Sequence, residues 1–156
     1  MTHPLFAVAA ILVAIWTASA AADSGPLVPP GGLPPARETS RALHNGSLVA
    51  VFASPRTGTL RIEYIAPRPA LAALGVIPGT PLLTGRWTRD VLSATAYVFS
   101  VCGPIPYEVQ GAADATGILT LQGLAPVINP DTCMVFGQAW TMNSVLTFLP
   151  IRGELP

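Results

Sequence analysis

The chain has 156 residues, with eight arginines, no lysine and eight acidic side chains, so its formal net charge at pH 7 is zero. A neutral chain offers no electrostatic attraction for nucleic acid or for an anionic membrane surface, so we predict neither as a partner. The absence of lysine, whose codons are AT-rich, favours a GC-rich bacterial genome as the origin of the sequence.

Residues 1–22 are predicted to form a signal peptide. Leu5 to Trp16 is an unbroken apolar run, shorter than the roughly 20 apolar residues that cross a bilayer. Ala18-Ser19-Ala20 and Ala20-Ala21-Ala22 both fit the small-residue pattern that signal peptidase accepts. No Lys or Arg precedes the run, which leaves an uncleaved anchor helix as the alternative. Cleavage of this signal peptide would leave about 134 residues. We therefore predict a periplasmic or secreted protein with no stable membrane insertion.

Residues 23–42 are predicted to form a linker. The stretch Ser24 to Ala36 reads "SGPLVPPGGLPPA", with five prolines and three glycines. Such a composition sustains neither a helix nor a central strand, and favours extended, partly polyproline structure. Residues 43–156 are then left as a single domain.

That domain is a series of short apolar segments separated by Gly, Pro and Asn. In "TLRIEYI", Leu60, Ile62 and Tyr64 alternate with polar side chains, as in a strand with one buried face. The other strand candidates are residues 47–53, 82–88, 92–101, 105–110, 118–122, 134–140 and 145–149. "PRPALAALG" predicts one short helix near 69–74, since Pro starts helices and Gly follows their ends. About eight short strands predict an all-β domain, either a small antiparallel barrel or a sandwich.

The two cysteines, Cys102 and Cys133, are predicted to form a disulfide, because an exported chain with two cysteines most simply pairs them. The loop of about 31 residues would be worth about 3–4 kcal/mol. A Cys–His nucleophile pair would need His44 to approach one cysteine, and nothing in the sequence suggests this. Zinc needs at least three protein ligands at suitable spacing, and that spacing is absent. We therefore predict no metal and no cofactor.

Two further groups of side chains are candidates for function. Glu63 and Glu108 lie in strand candidates, so the strands could bring the two carboxylates face to face for hydrolysis, although polar positions on the wet faces of strands are the stronger explanation. Arg86 and Arg89 flank Trp87 at an expected hairpin end, and these three residues form the candidate binding patch. Aromatic rings in a small β domain more often fill its core.

Four stretches together resemble a group of small exported bacterial proteins and the C-terminal accessory module of some bacterial caspase-like proteins. They are "HNGS" at 44–47, "IEYIAPRPALAALGVIPGTPLLTG" at 62–85, "ATAYVFSVCGPIPYEVQG" at 94–111 and "LTLQGLAPVINPDTC" at 119–133. The resemblance covers residues 43–149. It implies an accessory domain without catalytic residues of its own, and it assigns no site.

The sequence therefore predicts a non-enzymatic binding or accessory module of the cell envelope, with an unknown protein or glycan as its partner. The first alternative is an inhibitor of a cell-wall hydrolase or protease. The second is a hydrolase that uses Glu63 or Glu108.

Overall fold

The computed structural model describes residues 38–151, and the structure below is that of this part of the chain. The predicted signal peptide and most of the predicted linker lie outside it. Its elements are β1 (Ser40–His44), β2 (Ser47–Ser54), β3 (Thr59–Ala66), α1 (Pro69–Ala72), β4 (Pro81–Thr88), β5 (Val91–Ser100), β6 (Gly103–Ala113), β7 (Leu119–Gln122), β8 (Ala125–Ile128), β9 (Val135–Ala139) and β10 (Val145–Pro150).

Eight of the strands form a closed antiparallel barrel in the order β1-β10-β7-β6-β5-β4-β3-β2. The all-β prediction is confirmed, and of its two architectures the chain adopts the barrel. Closure depends on β1, which pairs with β2 along its whole length and with β10 through Ala42–Pro150 and Leu43–Leu149. The other two strands, β8 and β9, form a separate antiparallel pair. Strand β8 lies beside β6.

Alternation of side chains produces the core. On β3, Leu60, Ile62 and Tyr64 are buried inside the barrel, whereas Arg61 and Glu63 are on its outer face, as the sequence predicted. The same alternation on the other strands fills the interior. The core also contains Val49, Leu83, Leu92, Ala94, Ala96, Tyr107, Val109, Leu119, Leu121, Leu146 and Phe148.

Local turn chemistry sets several of the connections. Asn45 and Gly46 join β1 to β2 with φ angles of 46° and 77°, the left-handed pair that a two-residue hairpin of this type requires. At Gly111, where β6 meets β7, a Cβ atom would overlap the backbone carbonyl of Thr120. Glycine is therefore needed there for the close approach of the two strands.

Three predictions about the elements need correction. Strand β1 includes Ser40 to Ala42, which the sequence had placed in the linker, because Ser40 and Arg41 are polar and the pairing of β1 with the distant strand β10 leaves no local signal. Strand β8 was not predicted at all. The helix begins at Pro69 as predicted and ends at Ala72, two residues early. Among residues 38–151 no helix is long and apolar enough to cross a membrane.

Candidate functional site

The candidate patch around Trp87 lies at the hairpin between β4 and β5. Arg86 and Arg89 are exposed, while Trp87 is only half-exposed and packs against the core. Trp87 lies four residues after Leu83 on β4, so its side chain is on the same inward face of the strand. The ring therefore helps to fill this end of the barrel, and the two arginines are the exposed part of the candidate patch.

Cys102 and Cys133 are joined in a disulfide, with their Cα atoms 5.4 Å apart, and no described cysteine is free. The bond links the turn between β5 and β6 to the loop between β8 and β9. It therefore ties the separate two-stranded sheet to the barrel.

The two carboxylates considered for hydrolysis are both on the outer face of the barrel. Glu63 on β3 lies 3.1 Å from Nε of Arg61, and Glu108 on β6 accepts a hydrogen bond from the Thr95 hydroxyl. Two strands separate β3 from β6, so about 14 Å of sheet lies between the carboxylates at a strand spacing of about 4.8 Å. Paired glycosidase carboxylates lie within about 10 Å of one another. Glu63 and Glu108 therefore do not form such a pair.

A partly enclosed cavity, which we call the barrel-end cavity, lies at the opposite end of the barrel from Trp87, where β1, β3 and β5 end. It has a volume of about 250 Å³ and continues into a wider mouth of about 530 Å³. Ala70 and Leu71 of helix α1 line it, as does Leu74 just after the helix. Its polar lining consists of His44, Asn45, Tyr64, Arg68, Tyr97, Tyr107 and Asn143.

His44 is the last residue of β1 and is buried inside this end. Its Nδ1 lies 3.0 Å from the carbonyl oxygen of Thr147, and its ring stacks on Phe148 with centroids 4.7 Å apart. Burial lowers the pKa of His44, the Thr147 carbonyl opposes that effect, and the charge of Arg68 adds to it. The neutral ring therefore donates from Nδ1, which leaves Nε2 as an acceptor.

Tyr64 and Tyr107 extend the polar lining inward from β3 and β6. Burial raises the pKa of each phenol to about 12, so both hydroxyls stay protonated at neutral pH. The Tyr107 hydroxyl donates to the carbonyl oxygen of Asn143, 2.5 Å away, whereas that of Tyr64 makes no hydrogen bond with another described residue. The Tyr64 ring meets Phe99 edge-on, which fixes its plane.

Of residues 38–151, Arg68 is the only arginine that lines the cavity. Its backbone N–H donates to the buried Ser47 hydroxyl at 2.9 Å, which anchors the residue immediately before α1. Its Nε is buried and has no hydrogen-bond acceptor within residues 38–151. Arg61 differs, because the Glu63 carboxylate lies beside its Nε. No Asp or Glu in the described part of the chain lines either part of the cavity, so none of those residues is a counter-ion for Arg68 there.

Sequence reasoning considered His44 only as a partner for cysteine and did not select Arg68. The alternation on β3 did place Tyr64 inside. Sequence reasoning did not include the long-range contact between Arg68 and Ser47, which is 21 residues earlier in the chain. This contact brings the guanidinium to the barrel end. No signal in the local sequence reveals that contact.

Chemically, the cavity offers one fixed positive charge, neutral hydrogen-bonding groups and an apolar wall. Among the described residues no group of three or more His, Cys, Asp or Glu side chains is placed to hold a metal. Comparisons of the chain with protein-family models, curated proteins and solved structures found no match. The resemblance to a caspase-associated accessory module therefore stays a prediction.

Proposed function

We propose that this protein is a non-catalytic binding module of the bacterial cell envelope, periplasmic or secreted, that takes a small ligand or a chain end into the barrel-end cavity. The observation that carries the proposal is this enclosed space, which the side chain of Arg68 lines together with an apolar wall. No Asp or Glu among residues 38–151 lines it, so the guanidinium has no carboxylate partner there from the described residues. The disulfide and the leader-like N-terminus support export.

The size of the cavity limits what enters it. A volume of about 250 Å³ is just below the usual range for ligand pockets, and corresponds to about eight waters at their liquid volume. An eight-stranded barrel has room for its own side chains or for one small ligand. The ligand is therefore a small molecule, or the tip of a larger protein or glycan whose remainder lies in the mouth.

The test is a titration followed by ¹H–¹⁵N NMR, with hexanoate, hexanamide, hexylamine and glucose as probes. We expect at least one probe to cause saturable shifts concentrated at residues 64–74, 97–99 and 142–146. Ala70→Phe, which places a ring at the rim, should weaken that binding at least tenfold. Ala72→Phe is the matched control, because Ala72 is on the same helix and does not line the cavity. Shifts scattered over the surface, or none at the barrel end, would contradict the proposal.

A second candidate, inhibition of a cell-wall hydrolase or protease, is favoured by the exposed apolar side chains near the disulfide. Val101, Met134 and Phe136 are 74%, 65% and 66% exposed, and the disulfide fixes the segments that carry them. Mixing the protein with lysozyme, trypsin and subtilisin tests this. Loss of activity of one enzyme, relieved by Phe136→Ser, would support inhibition, and unchanged activity of all three would exclude inhibition of these enzymes.

A further inference from the structure

We propose that the barrel-end cavity is selective for a carboxylate group, which the guanidinium of Arg68 binds while an apolar tail lies against the inner wall. This inference rests on the proposed function and specifies its ligand. The carboxylate belongs either to a small organic acid or to the C-terminus of a peptide, since both present the same group.

The residues that line the cavity determine the sign of the charge that a ligand must have. Arg68 contributes one positive charge, and no acidic side chain between residues 38 and 151 lines the cavity or its mouth. The other titratable groups there are neutral at pH 7, since the pKa of His44 is lowered and those of Tyr64 and Tyr107 are about 12. The cavity therefore has a net charge of about +1 and repels a cation.

The single charge also favours a monoanion over a phosphate. A phosphate dianion buried against one arginine would keep an uncompensated negative charge, which is costly away from water. A carboxylate is matched in charge, and its two oxygens fit the planar fork of a guanidinium. The Tyr64 hydroxyl, which has no hydrogen-bond partner among the described residues, is a second donor on the same wall.

The remaining lining explains why the ligand has an apolar part. Leu71, Leu82, Val98 and Phe99 line the same cavity as Arg68. An inorganic anion would leave these side chains in contact with water, whereas a short alkyl or aromatic group would cover them. One charged group and a short apolar tail therefore match the two halves of the lining.

The experiment compares acids with their uncharged amides on the purified protein by ¹H–¹⁵N NMR. The probes are hexanoate and hexanamide, the peptide acetyl-Ala-Ala-Phe with a free or an amidated C-terminus, and inorganic phosphate. We expect at least one acid to bind about tenfold or more tightly than its amide, as for a hydrogen bond to a charged group, and more tightly than phosphate. Whether hexanoate or the peptide acid binds more tightly identifies the source of the carboxylate.

Arg68→Gln should abolish the preference for the acid, and Arg68→Lys should keep only part of it, because the charge remains and the fork is lost. Arg56→Gln, at an exposed arginine of the turn between β2 and β3 that does not line the cavity, is the matched control and should change nothing. Both Arg68 variants keep the backbone bond to Ser47, and an unchanged amide spectrum away from the cavity verifies folding.

Three results would overturn the inference: an amide that binds as tightly as its acid, a preference that survives Arg68→Gln, or tighter binding of phosphate. In each of these cases a probe still binds at the barrel end, so the proposed function stands and only the ligand class is wrong. If no probe shifts the barrel-end amides, both proposals fail.

Discussion

The disulfide gives the most quantitative prediction. Replacing both Cys102 and Cys133 with serine opens a loop whose ends are 31 residues apart. Loop-closure entropy assigns about 3–4 kcal/mol to a cross-link of this length. Cys133 is exposed and Cys102 is half-buried, so the substitution removes little apolar packing. The double variant therefore loses stability mainly because the disulfide no longer constrains its unfolded chain.

The structure also indicates where that loss appears. Strand β9 is exposed at every residue except the half-buried Ala139, and its pairing is with β8. Strand β9 therefore has few contacts of its own with the barrel, whereas β8 is buried at Ala125 and Pro126 and lies beside β6. We expect the double variant to lose hydrogen-exchange protection first at β8 and β9, while the amides of the barrel strands keep most of theirs.

Urea denaturation measures the loss in the free energy of unfolding of the whole domain. Native-state hydrogen exchange shows how that loss is distributed over the strands. We expect a lower free energy of unfolding, by up to about 4 kcal/mol, with the larger share in the opening of β8 and β9. A loss below about 1 kcal/mol together with unchanged protection of β9 would refute the reasoning, because the link would then constrain nothing. Two reactive thiols in the denatured, unreduced protein would refute the bond itself.

Three further predictions concern the barrel. Because burial lowers the pKa of His44, the unfolded state binds a proton that the folded state excludes. Stability should therefore fall as pH drops below about 6.5, by at most about 1.4 kcal/mol per pH unit, and His44→Gln should flatten this slope in urea denaturation between pH 5 and 7. Leu83→Ala, at a fully buried site, should cost about 2–5 kcal/mol, against less than about 0.5 for Val91→Ala on the exposed side of the next strand. Gly111→Ala should lower the denaturation midpoint markedly, since its Cβ would overlap the backbone of β7, whereas Gly137→Ala meets no neighbouring atom and should not.

Each of these three predictions has an outcome that contradicts it. An unchanged pH slope in His44→Gln would mean that another group titrates in that window. Equal losses for Leu83→Ala and Val91→Ala would contradict the inward row of β4. A Gly111→Ala variant as stable as the wild type would mean that β6 and β7 separate at little cost.

Much of the fold could be predicted from local pattern. Alternating apolar residues identified β3 and the inner position of Tyr64, and Asn45-Gly46 marked a turn, although the strand before that turn was not predicted. The choice between barrel and sandwich could not be made, because closure is a pairing of β1 with β10, more than 100 residues apart in the chain. Strand β8 escaped prediction because Pro126 interrupts its short apolar run. Proline is tolerated there since β8 pairs on one side only.

The site was less predictable than the fold because its contacts are long-range. Tyr107 reaches the carbonyl of Asn143 across 36 residues, and His44 reaches that of Thr147 across 103. Each residue taken alone is an ordinary core or turn residue. Only the closed barrel brings them to one end, and only there does the missing acceptor of Arg68 become visible.

The two ends of the barrel differ in a way that argues for a ligand at one of them. At the end where β4 meets β5, the half-buried ring of Trp87 packs against the core. The other end holds Arg68, whose buried Nε costs about 1–3 kcal/mol if it stays unpaired. Leucine or methionine at this position would fill the space without that cost. An arginine anchored by Ser47 in a cavity that no described Asp or Glu lines is consistent with the proposed carboxylate ligand, and without such a ligand Arg68→Met should raise the free energy of unfolding.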